Sequence, residues 1–213
     1  MVQDIIFKAG IAAIALALAV PAAAQSSRSY DLSGFDGISV TGAYALQVEV
    51  GSGYSITVSG PEDRLADARV RVENGDLVLA ERECRNCHRE GGLIARITLP
   101  SLDSLEVTGI ADDSRITGID AGDFSIDVSG VAELALSGRC GRLSLTVEGV
   151  SEIDGRNLRC GDAVADLDGV GEASIYASNS LDADVDGMAR LTVHGSPQSV
   201  QERSSGFARV DVR

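Results

Sequence analysis

The chain has 213 residues and a formal net charge of −14, a balance that gives it no electrostatic reason to hold nucleic acid or an anionic membrane surface. Lys8 is its only lysine, there is no tryptophan, and there are four tyrosines and four phenylalanines. P-loop and lysine-base chemistry are excluded beyond residue 8, and the core must be built from Val, Leu, Ile and Ala, which favours strands.

Met1 to Gln25 contains Lys8, an apolar run of about a dozen residues and then Ala22-Ala23-Ala24, the pattern of a secretory signal cleaved before Gln25. The run falls short of the roughly 20 residues that span a bilayer. No cysteine follows the cleavage site to carry a lipid anchor, and no later segment is apolar enough to cross a membrane. Residues 1–24 are thus expected to be a signal peptide. Residues 25–213 are expected to form one exported domain in the periplasm, at the cell surface or secreted.

Residues 30–100 alternate apolar and polar residues in "FDGISVTGAYALQVEV" and "YSITVSG", joined around Gly51 to Gly53. "PEDRLAD" allows a short helical turn, and "VRVENGDLVLAE" contains Asn74-Gly75, a strong hairpin signal. This part is expected to be irregular or antiparallel.

"ECRNCHRE" follows, with Cys84, Cys87 and His88 in the C-x-x-C-H spacing of c-type haem attachment. Met188 or His194 would be the second axial ligand. The context opposes haem, because a short loop flanked by Arg82, Glu83, Arg85 and Arg89 offers no apolar pocket for a macrocycle. Zinc wants four ligands, and a redox dithiol wants a helix start to lower a thiol pKa. The reading left for Cys84 and Cys87 is a loop disulfide in an exported protein.

Residues 101–213 repeat. "LEVTGIADDSRI", "IDVSGVAELAL", "LTVEGVSEIDG", "ADLDGVGEASI", "ADVDGMARLTV" and "ERSSGFARVDV" align on Gly109, Gly130, Gly149, Gly169, Gly187 and Gly206, at spacings of 21, 19, 20, 18 and 19. Ahead of each glycine the apolar residues alternate, as in Phe124, Ile126 and Val128. After it comes one apolar residue (Ile110, Val131, Val150, Val170, Met188, Phe207), and alternation resumes with residues such as Leu134 and Leu136. The parity changes at the glycine, so a corner that resets the inside of the strand is expected there. No single copy buries its apolar edge, whereas stacked copies do. The expected fold class is therefore all-β, a parallel β-helix (β-solenoid) of about 20-residue coils, with six glycine-centred coils over residues 101–213.

The motifs "GFDGISVTGAYALQVEVGSGYSITVSG", "NGDLVLA" and "ITLPSLDSLEVTG", followed by the glycine-centred segments, resemble the auto-transporter adhesin head GIN domain family across Asp31 to Arg213. The resemblance implies an exported β-helical domain without an established enzymatic activity, and it carries over no catalytic residue. An autotransporter also needs a C-terminal membrane barrel, whereas this sequence ends inside the sixth copy.

Two further groups of residues carry expectations. Outward positions ahead of the glycines align as Glu106, Asp127, Thr146, Asp166 and Asp184, with Glu148, Asp168 and Asp186 beside them. Like charges at roughly 4.8 Å call for hydration or a cation. A hydrated solubility surface is the plain reading, and Ca²⁺ on Asp166, Asp168, Asp184 and Asp186 is the sharper one. Cys140 and Cys160, each followed by glycine, fall at equivalent positions of neighbouring coils. They can either bridge them as a disulfide or stack as two thiols.

Three functions follow. The first is a non-enzymatic envelope or surface interaction module, adhesin-like, whose partner is a glycan or a protein. The second is a polysaccharide-binding or polysaccharide-degrading β-helix, which wants a carboxylate cleft and aromatic platforms. The third is a c-type haem protein. At the C-terminal edge Glu202, Arg203, Arg209 and Arg213 are expected to protect unpaired backbone, favouring a monomer over an end-to-end dimer.

Overall fold

The computed structural model describes residues 26–82 and 92–213. In chain order its elements are β1 (Ser26–Tyr30), β2 (Gly37–Val40), β3 (Ala43–Val50), β4 (Ser55–Gly60), α1 (Glu62–Asp67), β5 (Ala68–Glu73), β6 (Asp76–Glu81), β7 (Leu93–Leu99), β8 (Ser104–Val107), β9 (Ile110–Val128), β10 (Val131–Val147), β11 (Val150–His194), β12 (Ser199–Ser204) and β13 (Arg209–Val212). The period-2 patterns become strands, and "PEDRLAD" supplies the one helix among the described residues. Asn74 and Gly75 take φ of 54° and 95°, the left-handed pair that a two-residue hairpin requires. They close β5 onto β6 in antiparallel register, Glu73 opposite Asp76.

The expected parallel β-helix is corrected here. All thirteen strands join one sheet of mixed direction, a nearly closed, barrel-like wall in which β1-β4-β7-β3-β9-β8-β2-β6-β5 lie side by side and β10 to β13 continue from β9. Three of the pairings are antiparallel, β1 with β4, β4 with β7 and β5 with β6, and the order of the first nine strands is not sequential. The physical reason lies in the N-terminal half. Its turns reverse the chain, and β3 and β4, although consecutive, are separated by β7. The glycine period of the second half says nothing about that interleaving.

The later strands pair in parallel. Val131 lies opposite Ile110 on one side and Val150 on the other, while β12 and β13 pair with β11, Leu181 opposite Val200 and Leu191 opposite Val210. β11 runs for 45 residues without interruption. If straight it would reach on the order of 150 Å at about 3.3 Å per residue. Instead the Ser180 hydroxyl donates to Asp162 at 2.6 Å and the Val170 N–H to the Gly149 carbonyl at 3.1 Å, so the strand turns corners and lies against itself.

One continuous core, from Phe35 to Val193, fills the inside. It is almost wholly aliphatic, with Phe35, Tyr44 and Phe124 as its aromatic members. Inside this wall the expected change of parity at the glycines is also corrected. Ile126 and Val128 are buried, and so are Ala132, Leu134 and Leu136. Alternation therefore runs straight through Gly130. The residue immediately after the glycine is on the outside.

Candidate interaction surface

The glycines fix this outer row. A Cβ on Gly130 would run into the Gly109 carbonyl oxygen, one on Gly149 into that of Gly130, one on Gly169 into that of Gly149, and one on Gly187 into that of Gly169. Backbone approach is what demands glycine at these positions. The same carbonyls accept from the next residue along: Val131 N–H donates to Gly109 at 3.0 Å, Val150 to Gly130 at 3.0 Å and Val170 to Gly149 at 3.1 Å, while Phe207 donates to Gly187 at 3.0 Å. Each apolar residue after a glycine is thus held in line with its neighbours, side chain outward.

Ile110 is 45% exposed, Val131 47%, Val150 53%, Val170 44%, Met188 61% and Phe207 88%. Together they expose on the order of 500 Å² of apolar surface, the size at which a contiguous patch on a soluble protein is commonly functional. The sequence pattern puts these six residues at a corner, whereas they stand on the outer face. The signal that could have placed them outside is the position two after the glycine, where Ala111, Ala132, Ser151 and Ala189 are small and buried and leave the larger neighbour no room within.

Acidic rows flank the patch. On the far side stand Asp112, Glu133, Glu152 and Glu172, all exposed, with Glu133 opposite Glu152. The Glu133 carboxyl is raised above the usual range by loss of solvent and then by the carboxylates of Asp112 and Glu152. On the near side are Glu148 and Asp168, also exposed. Toward the C-terminus arginines take over: Arg190 approaches Glu172 at 3.6 Å and Asp211 at 3.4 Å, and Arg203 bonds Asp184 at 3.0 Å.

The expected outward column is in register, Glu106 opposite Asp127, Asp127 opposite Thr146, and Thr146 opposite Asp166. The four calcium candidates come from this column and the one beside it. Asp166 and Asp168 are exposed, Asp184 is taken by Arg203, and Asp186 accepts from the Ser205 hydroxyl. No group of three or more His, Cys, Asp or Glu side chains able to hold a metal ion occurs among the described residues.

Cys140 and Cys160 lie opposite each other in β10 and β11 and are joined by a disulfide, with their Cα atoms 4.5 Å apart. Cys84, Cys87 and His88 lie outside the described residues. The two suggested axial ligands are far from one another in character: Met188 stands on the exposed row, and His194 is half-buried at the end of β11.

One groove of about 380 Å³ lies beside a β-bulge, lined by Gln47, Glu49, Arg96, Thr98, Asp113 and Arg115 among others. Asp113 has φ of 45°. The displaced strand is held by Ser114, whose hydroxyl accepts the Leu46 N–H at 2.9 Å. Charged and hydroxyl groups line the groove, but no histidine or cysteine does.

Several solved structures resemble this one, and two of them show the likeness well. A "putative adhesin" from Bacteroides fragilis superposes with a TM-score of 0.73 at 21% identity, covering 91% of this chain and 99% of its own. A "putative adhesin" from Parabacteroides distasonis gives a TM-score of 0.52 at 16% identity, covering 89% and 97%. At these identities the likeness is one of fold. No curated protein matches the sequence. Residues 34–197 match the family model described as "Putative auto-transporter adhesin, head GIN domain", so the chain belongs to the auto-transporter adhesin head GIN domain family.

Proposed function

We infer that this protein is an exported, non-enzymatic interaction module of the cell envelope or surface, adhesin-like, that engages its partner along the outer row after the glycines. The observation that carries this reading is the alignment of six exposed apolar side chains, Ile110 to Phe207, held in line by backbone bonds to successive glycines. A soluble domain has no stability reason to expose them. Family membership supports the same reading. A second reading, polysaccharide binding, is favoured by the polar groove at Arg96, Gln47 and Arg115.

The test is a panel of purified envelope proteins, matrix proteins and glycans, scored for binding and for cleavage. A bound target whose retention is lost in Val131→Ser/Val150→Ser, with no product released, is the expected result. Retention of a glycan lost in Arg115→Ala but kept in the valine double variant moves the function to the groove. Product release overturns the non-enzymatic reading.

A further inference from the structure

We propose that the outer row takes a basic amphipathic α-helix, supplied by another protein. This deepens the interaction reading above and rests on it. Charge complementarity selects the partner. Around Val131, Val150 and Val170 the flanking positions carry Glu133 and Glu152 on one side and Glu148 and Asp168 on the other. None of these four carboxylates is bridged by an arginine among the described residues, whereas Glu172, Asp184 and Asp211 are. An apolar stripe between two unneutralised acidic rows is complementary to an apolar stripe between two basic ones. Anionic lipid is repelled by the same rows, and a second copy would bring acid against acid.

The spacing selects a helix. Successive members of the row sit on neighbouring strands, about 4.8 Å apart, and an α-helix presents one apolar side chain per turn at a pitch of about 5.4 Å. The mismatch of roughly 0.6 Å per turn accumulates to only about 2 Å over four turns. Val131, Val150 and Val170 thus meet successive turns of one helix face, and lysines or arginines beside that face reach the carboxylates on either side. The six-residue row spans about 24 Å, the length of a helix of about 16 residues.

The test uses a synthetic 16-residue Leu/Lys peptide with one leucine stripe and the same peptide with glutamate in place of lysine. Because the described residues are almost wholly strand and loop, helix formation by the peptide is read as a gain at 222 nm over the protein alone. The Leu/Lys peptide is expected to become helical and bind with a micromolar Kd. Raising salt from 0.05 to 0.5 M should weaken it about tenfold, since exposed charges are then screened. Val131→Ser/Val150→Ser and Glu133→Gln/Glu152→Gln, each with an unshifted dichroism spectrum, should each weaken it at least tenfold. Glu62→Gln/Asp63→Asn, which removes the same charge elsewhere, should not. Equal binding by all variants, or by the Leu/Glu peptide, overturns the proposal. So does preferential binding of phosphatidylcholine vesicles, or a dimer in sedimentation that the valine substitutions dissolve. If the Leu/Lys peptide fails while a panel target still depends on Val131 and Val150, the basic helix falls and the interaction row stands. If the valine substitutions change neither, both readings fall.

Discussion

Gly149 and Gly122 differ by what lies above them. A Cβ at Gly149 meets the backbone of Gly130, and backbone cannot swing aside; a Cβ at Gly122 meets nothing. Gly149→Ala should destabilise by about 2–3 kcal/mol, as overpacking of a close contact does, and lower the melting midpoint by roughly 5–10 °C in a chain of this size. Gly122→Ala should be neutral or gain up to about 1 kcal/mol through the unfolded state. Equal midpoints for the two variants would remove the glycine contact as the cause of the alignment. Charge at the same scale behaves predictably with pH. Glu133, whose folded pKa is raised, contributes stability that is present below the unfolded carboxylate value and is lost as pH rises through the folded one. Glu133→Gln should therefore raise the midpoint slightly at pH 7 and leave it unchanged near pH 3. Asp120 and Asp154, lowered chiefly by bonds from Arg139 and Arg156, act in the opposite direction. Their contribution is present above the unfolded value and fades as acid is added.

Strand pairing carries the next scale. The bond between Cys140 and Cys160 closes a sequence separation of 20 residues between β10 and β11, for which loop-closure entropy gives a stabilisation of roughly 3 kcal/mol. Reduction, or Cys140→Ser/Cys160→Ser, should lower the midpoint by about 6–12 °C, and peptide mapping without reductant should recover the two cysteines linked. That partnership was legible in the sequence because both cysteines precede a glycine about ten residues after a ladder glycine, so neighbouring strands bring them level. The Asn74-Gly75 hairpin was legible for a local reason, the two left-handed residues of its turn. Strand order in the first half was not. β4 pairs with β1 and β7, partners 25 or more residues away, and no local pattern encodes such choices. The exposed row was misread for a related reason. Val131 directly follows Gly130 and reads as a corner residue, whereas the small Ala132 after it holds the inside position and alternation runs on through the glycine.

For the molecule as a whole, the dominant fact is an acidic exterior on which several arginines, among them Arg139, Arg156, Arg190 and Arg203, are drawn into ion pairs. Asp184 and Asp186 already have partners, so millimolar calcium should leave the melting midpoint where chelator does; a rise of several degrees, lost in Asp166→Asn/Asp168→Asn, would restore the aspartates as a cation site. The disulfide has a mechanical meaning at this scale. A module that holds a partner while anchored elsewhere is pulled along its chain, and the segment between Cys140 and Cys160 is excluded from extension while the bond lasts. Twenty residues at about 3.5 Å each are some 70 Å of slack withheld. Stretched singly between its ends, the oxidised protein should gain about 65–70 Å less contour length on unfolding than the reduced one. In an oxidising environment the tether gives way in a shorter step, and the strands on either side of that bond remain together as a place from which the sheet can re-form when tension drops.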